Sequence, residues 1–275
     1  MKDDLLLGKE THYKFEYDKS LIFPIGRDEN RKKLNLPKKM VDHNLPFYGV
    51  DVWTGYEVSW LNEKGKPVVA IARFTIPVFS TNIVESKSFK LYLNSFNQTP
   101  FSNTAEVQQR LQRDLSEGFG ADIQVELFAV LMFPLNQQNL GTNIDELDIN
   151  ANEYTPNGSL LSVSDNIVKE TLHSHLLKSN CPVTSQPDWA TLVVEYEGSE
   201  INQGALLKYV ISYRGHDDFH EHCVEQIFCD LCAAGDFTQL TVSARYTRRG
   251  GLDINPTRSL GPIKTSNLIG RLARQ

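Results

Sequence analysis

Val50-Asp51-Val52-Trp53-Thr54-Gly55-Tyr56-Glu57-Val58-Ser59-Trp60-Leu61 runs into the polar turn Asn62-Glu63-Lys64-Gly65-Lys66, and a second run from Val68 to Val78 follows. Two such runs joined by a short turn containing Gly read as a β-hairpin. Phe89, Leu93 and Phe96 then recur at helical spacing, as do Val107, Leu111 and Leu115 after the break at Pro100, so two amphipathic helices come next. Ile123, Val125, Leu127 and Ala129 alternate as a half-buried strand does. The order is strand, strand, helix, helix, strand.

The same order returns further on. Ile167 to Leu177 and Trp189 to Glu197 read as strands, the second with Leu192, Val194 and Tyr196 on one face. Ala205 to Tyr213 reads as a short helix. Asp217 to Ala234 reads as a longer one with Phe219, Cys223, Ile227 and Leu231 along a stripe. Leu240, Val242, Ala244 and Tyr246 close the unit as an alternating strand. The layering is α+β, with antiparallel sheets carrying paired helices on one face. The division expected is an arm over 1–45, a module over 46–132, a linker over 133–166 and a second module over 167–275. Arm and linker are assigned on their Lys, Asn, Pro, Gly and Asp content.

The chain has 275 residues, of which 40% are apolar and 23% charged, as in a soluble globular protein. Its 28 basic and 34 acidic residues leave a formal charge of −6, which argues against a broad nucleic-acid surface. No apolar run has the length of a membrane span, and Met1-Lys2-Asp3-Asp4 opens no signal peptide. With four cysteines and no secretory signal, free thiols in the cytoplasm are expected.

Chemistry concentrates in Ser179-Asn180-Cys181-Pro182-Val183-Thr184-Ser185-Gln186-Pro187-Asp188-Trp189. A thiol in a Pro-punctuated turn is reachable by a ligand, and a carboxylate at the other end of the turn can hand it protons. Alone, the pair reads more readily as an inert thiol in a turn. Cys223, Cys229 and Cys232 fall on the long helix, and a lone Cys229-x-x-Cys232 inside a helix reads as packing, so no metal is assigned. No G-x-G-x-x-G follows any strand pattern, since Gly118-Phe119-Gly120 lacks the third glycine and follows a helix, which argues against a Rossmann domain.

Joined to Glu85-Ser86-Lys87-Ser88-Phe89-Lys90-Leu91-Tyr92 and Phe219-His220-Glu221, the Cys181 segment resembles the NADPH-dependent nitrile reductases that convert 7-cyano-7-deazaguanine to 7-aminomethyl-7-deazaguanine on the way to queuosine, a tRNA modification. The resemblance runs from about Leu21 to Gly251 and is to the two-module form. It implies two tandem tunnelling-fold modules and a homodimer. It also implies Cys181 as the nucleophile that forms a thioimide, and Asp188, its pKa raised, as the proton donor. His220 would act beside the reacting bond. Val84, Glu85, Ser86, His220 and Glu221 would hold the deazapurine, and a carboxylate such as Glu221 suits a guanine-like edge because it accepts two parallel N–H bonds. Ser86, Lys87, Arg249 and Gly250 would hold NADPH, with basic groups beside a flexible Gly pair meeting its phosphates. Glu85 and Glu221 come from different halves, so the pocket is expected at a module interface. Read without the resemblance, Glu85 is a helix cap, Glu221 decorates a helix start, and Phe219 is a core residue. The competing functions are a cysteine hydrolase using Cys181 with His220, and a non-catalytic purine- or pterin-binding protein of the same fold.

Overall fold

The computed structural model describes residues 14–34, 37, 40–134, 140–263 and 271–275. The first 13 residues of the arm expected over 1–45, its positions 35, 36, 38 and 39, and positions 135–139 of the linker lie outside the described residues. In chain order the strands are β1 (Pro24–Gly26), β2 (Tyr48–Leu61), β3 (Pro67–Pro77), β4 (Asn82–Val84), β5 (Gln124–Phe128), β6 (Thr142–Asn143), β7 (Val163–Asn180), β8 (Pro187–Ile201), β9 (Phe237–Tyr246) and β10 (Leu252–Ser259). The α-helices are α1 (Asp28–Arg31), α2 (Ser86–Ser95), α3 (Thr104–Phe119), α4 (Gln203–Ser212) and α5 (His220–Ala234). The chain divides into two compact units.

The first unit gathers residues up to Glu29, Asp51–Leu135 and Arg248–Ile254. Its hairpin forms as read. The Asn62 side chain accepts from the backbone of Lys64 and Lys66, both at 2.9 Å, and Gly65 takes the left-handed conformation (φ 74°) that closes the turn. β5 adds antiparallel to β3, from Ile71↔Phe128 to Thr75↔Gln124. Asn103 caps α3 by accepting from Glu106 at 3.0 Å, and Gly120 (φ 68°) ends it. Phe89, Val107, Leu111, Leu115 and Phe119 are fully buried with Trp53 and Phe74. The rings of Trp53 and Phe74 meet Phe89 edge-on at 4.9 and 5.1 Å. The arm is more regular than its composition suggests. β1 pairs with β4, Tyr17 donates to Asp114 at 2.6 Å, and Arg27 makes a buried ion pair with Asp51 at 2.6 Å.

The second unit gathers Asn30–Val50, Asn136–Thr247 and Asn255–Gln275. β7 and β8 form a hairpin running antiparallel from Val163↔Ile201 to Asn180↔Pro187, longer at both ends than periodicity indicates. β9 pairs antiparallel with β8 and β10 with β9, whereas β6 is parallel to β7. The sheet is therefore mostly antiparallel. Leu192, Val194 and Tyr196 of β8 are buried, as are Leu206, Leu207 and Val210 of α4 and Val224, Ile227, Phe228 and Leu231 of α5. α5 starts at His220, three residues later than the apolar stripe suggests, because Asp217 bridges to Asn180 and Phe219 is held extended as the cap residue. β10 escapes sequence reading altogether. All eight of its residues are buried, polar ones included, so no alternation marks it. No helix among the described residues is long and apolar enough to cross a membrane.

Candidate active site

Cys181 is the first residue after β7 and opens the six-residue connection to β8. Its N–H donates to the Gln186 carbonyl at 2.8 Å, and its own carbonyl accepts from Ser185 at 2.9 Å. Ser185 takes a left-handed conformation (φ 54°) to allow this, so the loop around the sulfur is tied at both ends. Cys181 is 5% exposed, so the turn buries it rather than leaving it open as its place in the sequence suggests. Asp188 lies inside β8, one residue after its first and opposite Ser179, rather than ahead of the strand.

Asn180 brings the third group in. Its N–H donates to the His216 carbonyl at 2.8 Å, and its carbonyl accepts from Asp218 at 3.1 Å. Residues 216–218 thus run alongside the end of β7 and deliver the first turn of α5 to the hairpin. His220 Nε2 then sits 3.3 Å from Asp188 Oδ2. The His220 ring lies flat on Tyr246 of β9, centroids 3.8 Å apart and planes within 6°. Such stacking fixes the ring plane and leaves the edge nitrogens for proton work. Nδ1 of His220 is buried and has no hydrogen-bond partner among the described residues. Glu221 follows on α5 and is 2% exposed.

Asp218 steadies this helix start. Burial pushes its carboxyl up, but hydrogen bonds from His216 and His222 outweigh burial and hold it well below the ordinary carboxylate range. The thiols of α5 go the other way: burial pushes Cys223 and Cys229 well up and Cys232 up to about 12. They are protonated at neutral pH and poor nucleophiles.

In the first unit, β4 carries Val84 into Glu85, the cap residue of α2. Glu85 accepts from the backbone N–H of Lys87 at 2.8 Å and of Ser88 at 2.7 Å, and is 1% exposed. The helix-cap reading of Glu85 therefore holds, whatever else the carboxylate does. Arg249 and Gly250 do not follow the last strand but make the β9–β10 turn. Gly250 and Gly251 have φ of 63° and 77°, and the Arg249 N–H donates to the Leu252 carbonyl at 2.9 Å. Two successive left-handed residues make a tight hairpin turn that needs glycine. The Lys90 side chain runs along this turn, 3.1 Å from where a Cβ on Gly250 would lie. The structure so brings Asp188 to His220, Cys181 into the same hairpin, and Lys90 of the Glu85–Tyr92 stretch to Gly250. Cys181, Asp188, His220 and Glu221 lie in the second unit; Val84, Glu85, Ser86, Lys87, Arg249 and Gly250 lie in the first. Tyr246 is the participant that sequence reading missed, since an aromatic on an alternating strand reads only as core.

Residues 13–127 match the family described as nitrile reductase, 7-cyano-7-deazaguanine-reductase N-term, and residues 187–264 match the family described as QueF-like protein. An NADPH-dependent 7-cyano-7-deazaguanine reductase of Chromohalobacter salexigens is 52% identical over 270 residues, 98% of this chain and 96% of that one. The chain belongs to the 7-cyano-7-deazaguanine reductase family. The family expectation raised by the three motifs is borne out. Reductases of the same name from Bordetella avium (53% over 259 residues, 93% of each chain) and Coxiella burnetii (51% over 257 residues, 93% of this chain and 91% of the relative) are similar along their lengths as well. The apo crystal structure of the archaeosine synthase QueF-Like covers 37% of this chain and 99% of its own at a TM-score of 0.31 and 22% identity, too weak a likeness to bear on fold or function.

Proposed function

We infer that this chain reduces the nitrile of 7-cyano-7-deazaguanine to the amine of 7-aminomethyl-7-deazaguanine with NADPH, in queuosine biosynthesis. The observation that carries the reading is near-full-length identity of about half with the curated reductases. A nitrile becomes a primary amine by gaining two hydrides and two protons. In this reading the Cys181 thiolate adds to the nitrile carbon, a C–S bond forms, one C–N π bond opens, and the nitrogen takes a proton from Asp188. His220, in contact with Asp188, relays the replacement proton. NADPH, when bound, supplies the two hydrides. When the carbon has accepted the first, the C–S bond breaks and Cys181 leaves as thiolate. The remaining imine needs the second hydride and one proton, and the Asp188–His220 pair can deliver that proton. Lys87, Arg249 and the Gly250 turn fit NADPH phosphates, because a left-handed glycine beside the Lys90 side chain lets an anion approach the backbone closely. Val84, Glu85, Ser86, His220 and Glu221 hold the deazapurine.

Loss of NADPH absorbance on adding the nitrile tests the reading. Two NADPH consumed per substrate is the expected count, and a cysteine hydrolase or a non-catalytic binder would consume none. The functional division proposed is 1–45, 46–132, 133–166 and 167–275; the separate matches over 13–127 and 187–264 support two modules, the first of them running on into the arm. We further take the modules as tunnelling-fold units of a homodimer. Leu131 and Met132, 96% and 74% exposed, support an association surface, and light scattering checks it. The four free cysteines support a cytoplasmic setting.

Glu85→Gln is expected to cost twice. One cost is roughly 0.3–1 kcal/mol of stability, because a neutral amide replaces an anion at a helix start. The other is roughly 1–3 kcal/mol of deazaguanine affinity, from a charged hydrogen bond left imperfectly paired. Lys87→Ala is expected to raise the NADPH requirement alone. Titration calorimetry of each variant with each ligand, beside thermal melts, checks both.

A further inference from the structure

The segment Arg271–Gln275 docks on the strands that carry Asp188 and Tyr246, the ring on which His220 lies, a contact that the reaction as described does not use. The segment is locked on itself first. Arg271 donates to the Gln275 carbonyl from Nε at 3.1 Å and Nη2 at 2.7 Å, and the Leu272 N–H donates to Gln275 Oε1 at 3.0 Å. Two side chains then reach the sheet. Arg274 Nη2 donates to the carbonyls of His175 and Ala190, both at 3.0 Å, and to Thr191 Oγ1 at 3.1 Å. Gln275 Nε2 donates to Asn255 Oδ1 at 2.7 Å and to the Tyr246 carbonyl at 3.4 Å. Four neighbouring strands, β7 to β10, are therefore tied by two consecutive residues.

The tie falls at a particular place. Ala190 and Tyr246 are register partners across β8 and β9, and the segment holds the backbone carbonyl of each. Asp188 is two residues before Ala190 on the same face of β8, about 7 Å along the strand. Tyr246 is the ring on which His220 lies. The Gln275 half of the grip is dry, with Gln275, Asn255 and Thr191 6%, 3% and 2% exposed, while Arg274 is exposed and reaches in from the surface. Arg274 spends its donors on neutral oxygens and appears in no ion pair among the described residues, so its cost of ordering returns geometry rather than charge neutralisation.

We propose that Arg274 and Gln275 are positioning residues for proton delivery: they hold the Ala190–Tyr246 pair so that Asp188 and the stacked His220 stay aligned on the reacting nitrogen. This rests on the proton-donor reading of Asp188 above. Neither residue is among those assigned to the deazapurine, so they would act on the chemical step and not on affinity. A misplacement of about 1 Å at such a distance lowers a chemical step by up to ~100-fold.

The test uses the full chain with 7-cyano-7-deazaguanine. Thioimide build-up without NADPH is followed by stopped-flow absorbance, with kcat, KM and the melting temperature measured beside it. Arg274→Ala and the isosteric Gln275→Glu, which turns the donor facing Asn255 and Tyr246 into an acceptor, are each expected to slow thioimide formation and kcat by roughly 10–100-fold with KM within about twofold. Arg274→Lys, whose ammonium offers three donors to the same three oxygens, is expected to restore most of the rate. Thioimide formation at the parental rate in both variants, even with a lowered melting temperature, would leave the segment a structural strap and overturn the proposal. Asp188→Asn in the same assay separates the two readings. If it is slow while the segment variants are normal, only the positioning proposal falls. If it forms thioimide normally, the proton-donor reading falls and takes the proposal with it.

Discussion

Cys181→Ala is expected to abolish nitrile reduction while keeping much of the affinity for the deazaguanine. Removing a nucleophile acts on the scale of 10⁴-fold or more in kcat, roughly. No other thiol of the second unit can stand in, because burial holds Cys223, Cys229 and Cys232 protonated. The base is held by carboxylates in this reading, and those are untouched by the change. The alanine protein should therefore titrate with 7-cyano-7-deazaguanine in a calorimeter yet consume no NADPH. It should also lack the thioimide absorbance that the parent protein develops when mixed with the nitrile alone. Undiminished turnover in Cys181→Ala would sink the covalent route, and with it the role given to Asp188 in protonating the adduct.

The second large effect is on stability. Glu225 is fully buried on α5, one turn beyond His220 and Glu221, between two guanidinium groups. Arg31 donates to it from Nε at 3.0 Å and Nη2 at 2.7 Å, and Arg258 from Nη2 at 2.8 Å. Burial alone would push its carboxyl up, but the charges of Arg258 and Arg31 outweigh burial and hold it well below the usual carboxylate range. Glu225→Gln leaves two buried cations without their counter-charge, so a loss of about 3–5 kcal/mol is expected at neutral pH. Urea unfolding of the two proteins measures it. The sign with pH follows from the depressed folded value. The stabilisation is fully present above the ordinary carboxylate pKa near ~4, and it is lost as pH falls below that toward the folded value. The gap between parent and Glu225→Gln should accordingly narrow in acid. A gap under ~1 kcal/mol at neutral pH, or one that widens on acidification, would refute the account.

Glu225 also shows where sequence reading stops. Its partners lie far before and after it in the chain, and nothing at the positions of Arg31 or Arg258 marks them as buried. The same holds for β10, whose polar residues are all inside. Elements that keep one wet and one dry face were legible, because burial then writes a period of two or 3.6 into the sequence. The helices over Phe89 and Leu111 are of that kind, whereas the hairpin from Val50 and the strand over Val242 were legible from their strand-forming runs although residues 51–56 and 242–246 are buried on both faces. Positions along α5 were legible and its start was not, since the pairing of Asp217 with Asn180 is a tertiary event.

The candidate site divides in the same manner. Cys181, Asp188, His220, Glu221 and the Glu85–Tyr92 stretch were singled out by the resemblance of three motifs in order, because residue type and local spacing alone fit an inert thiol, a helix cap and a decorated helix start at least as naturally. The contacts that make them a device were decided by the fold. His220 meets Asp188 because residues 216–218 pair along the end of β7. Tyr246 becomes the floor under the imidazole because β9 lies beside β8 in the register Ala190↔Tyr246. Glu85 closes α2 because its backbone is extended as two N–H groups turn toward it. Side-chain chemistry is local and survives in any conformation, whereas distances of about 3 Å between remote residues exist only once strand register and helix placement have set them.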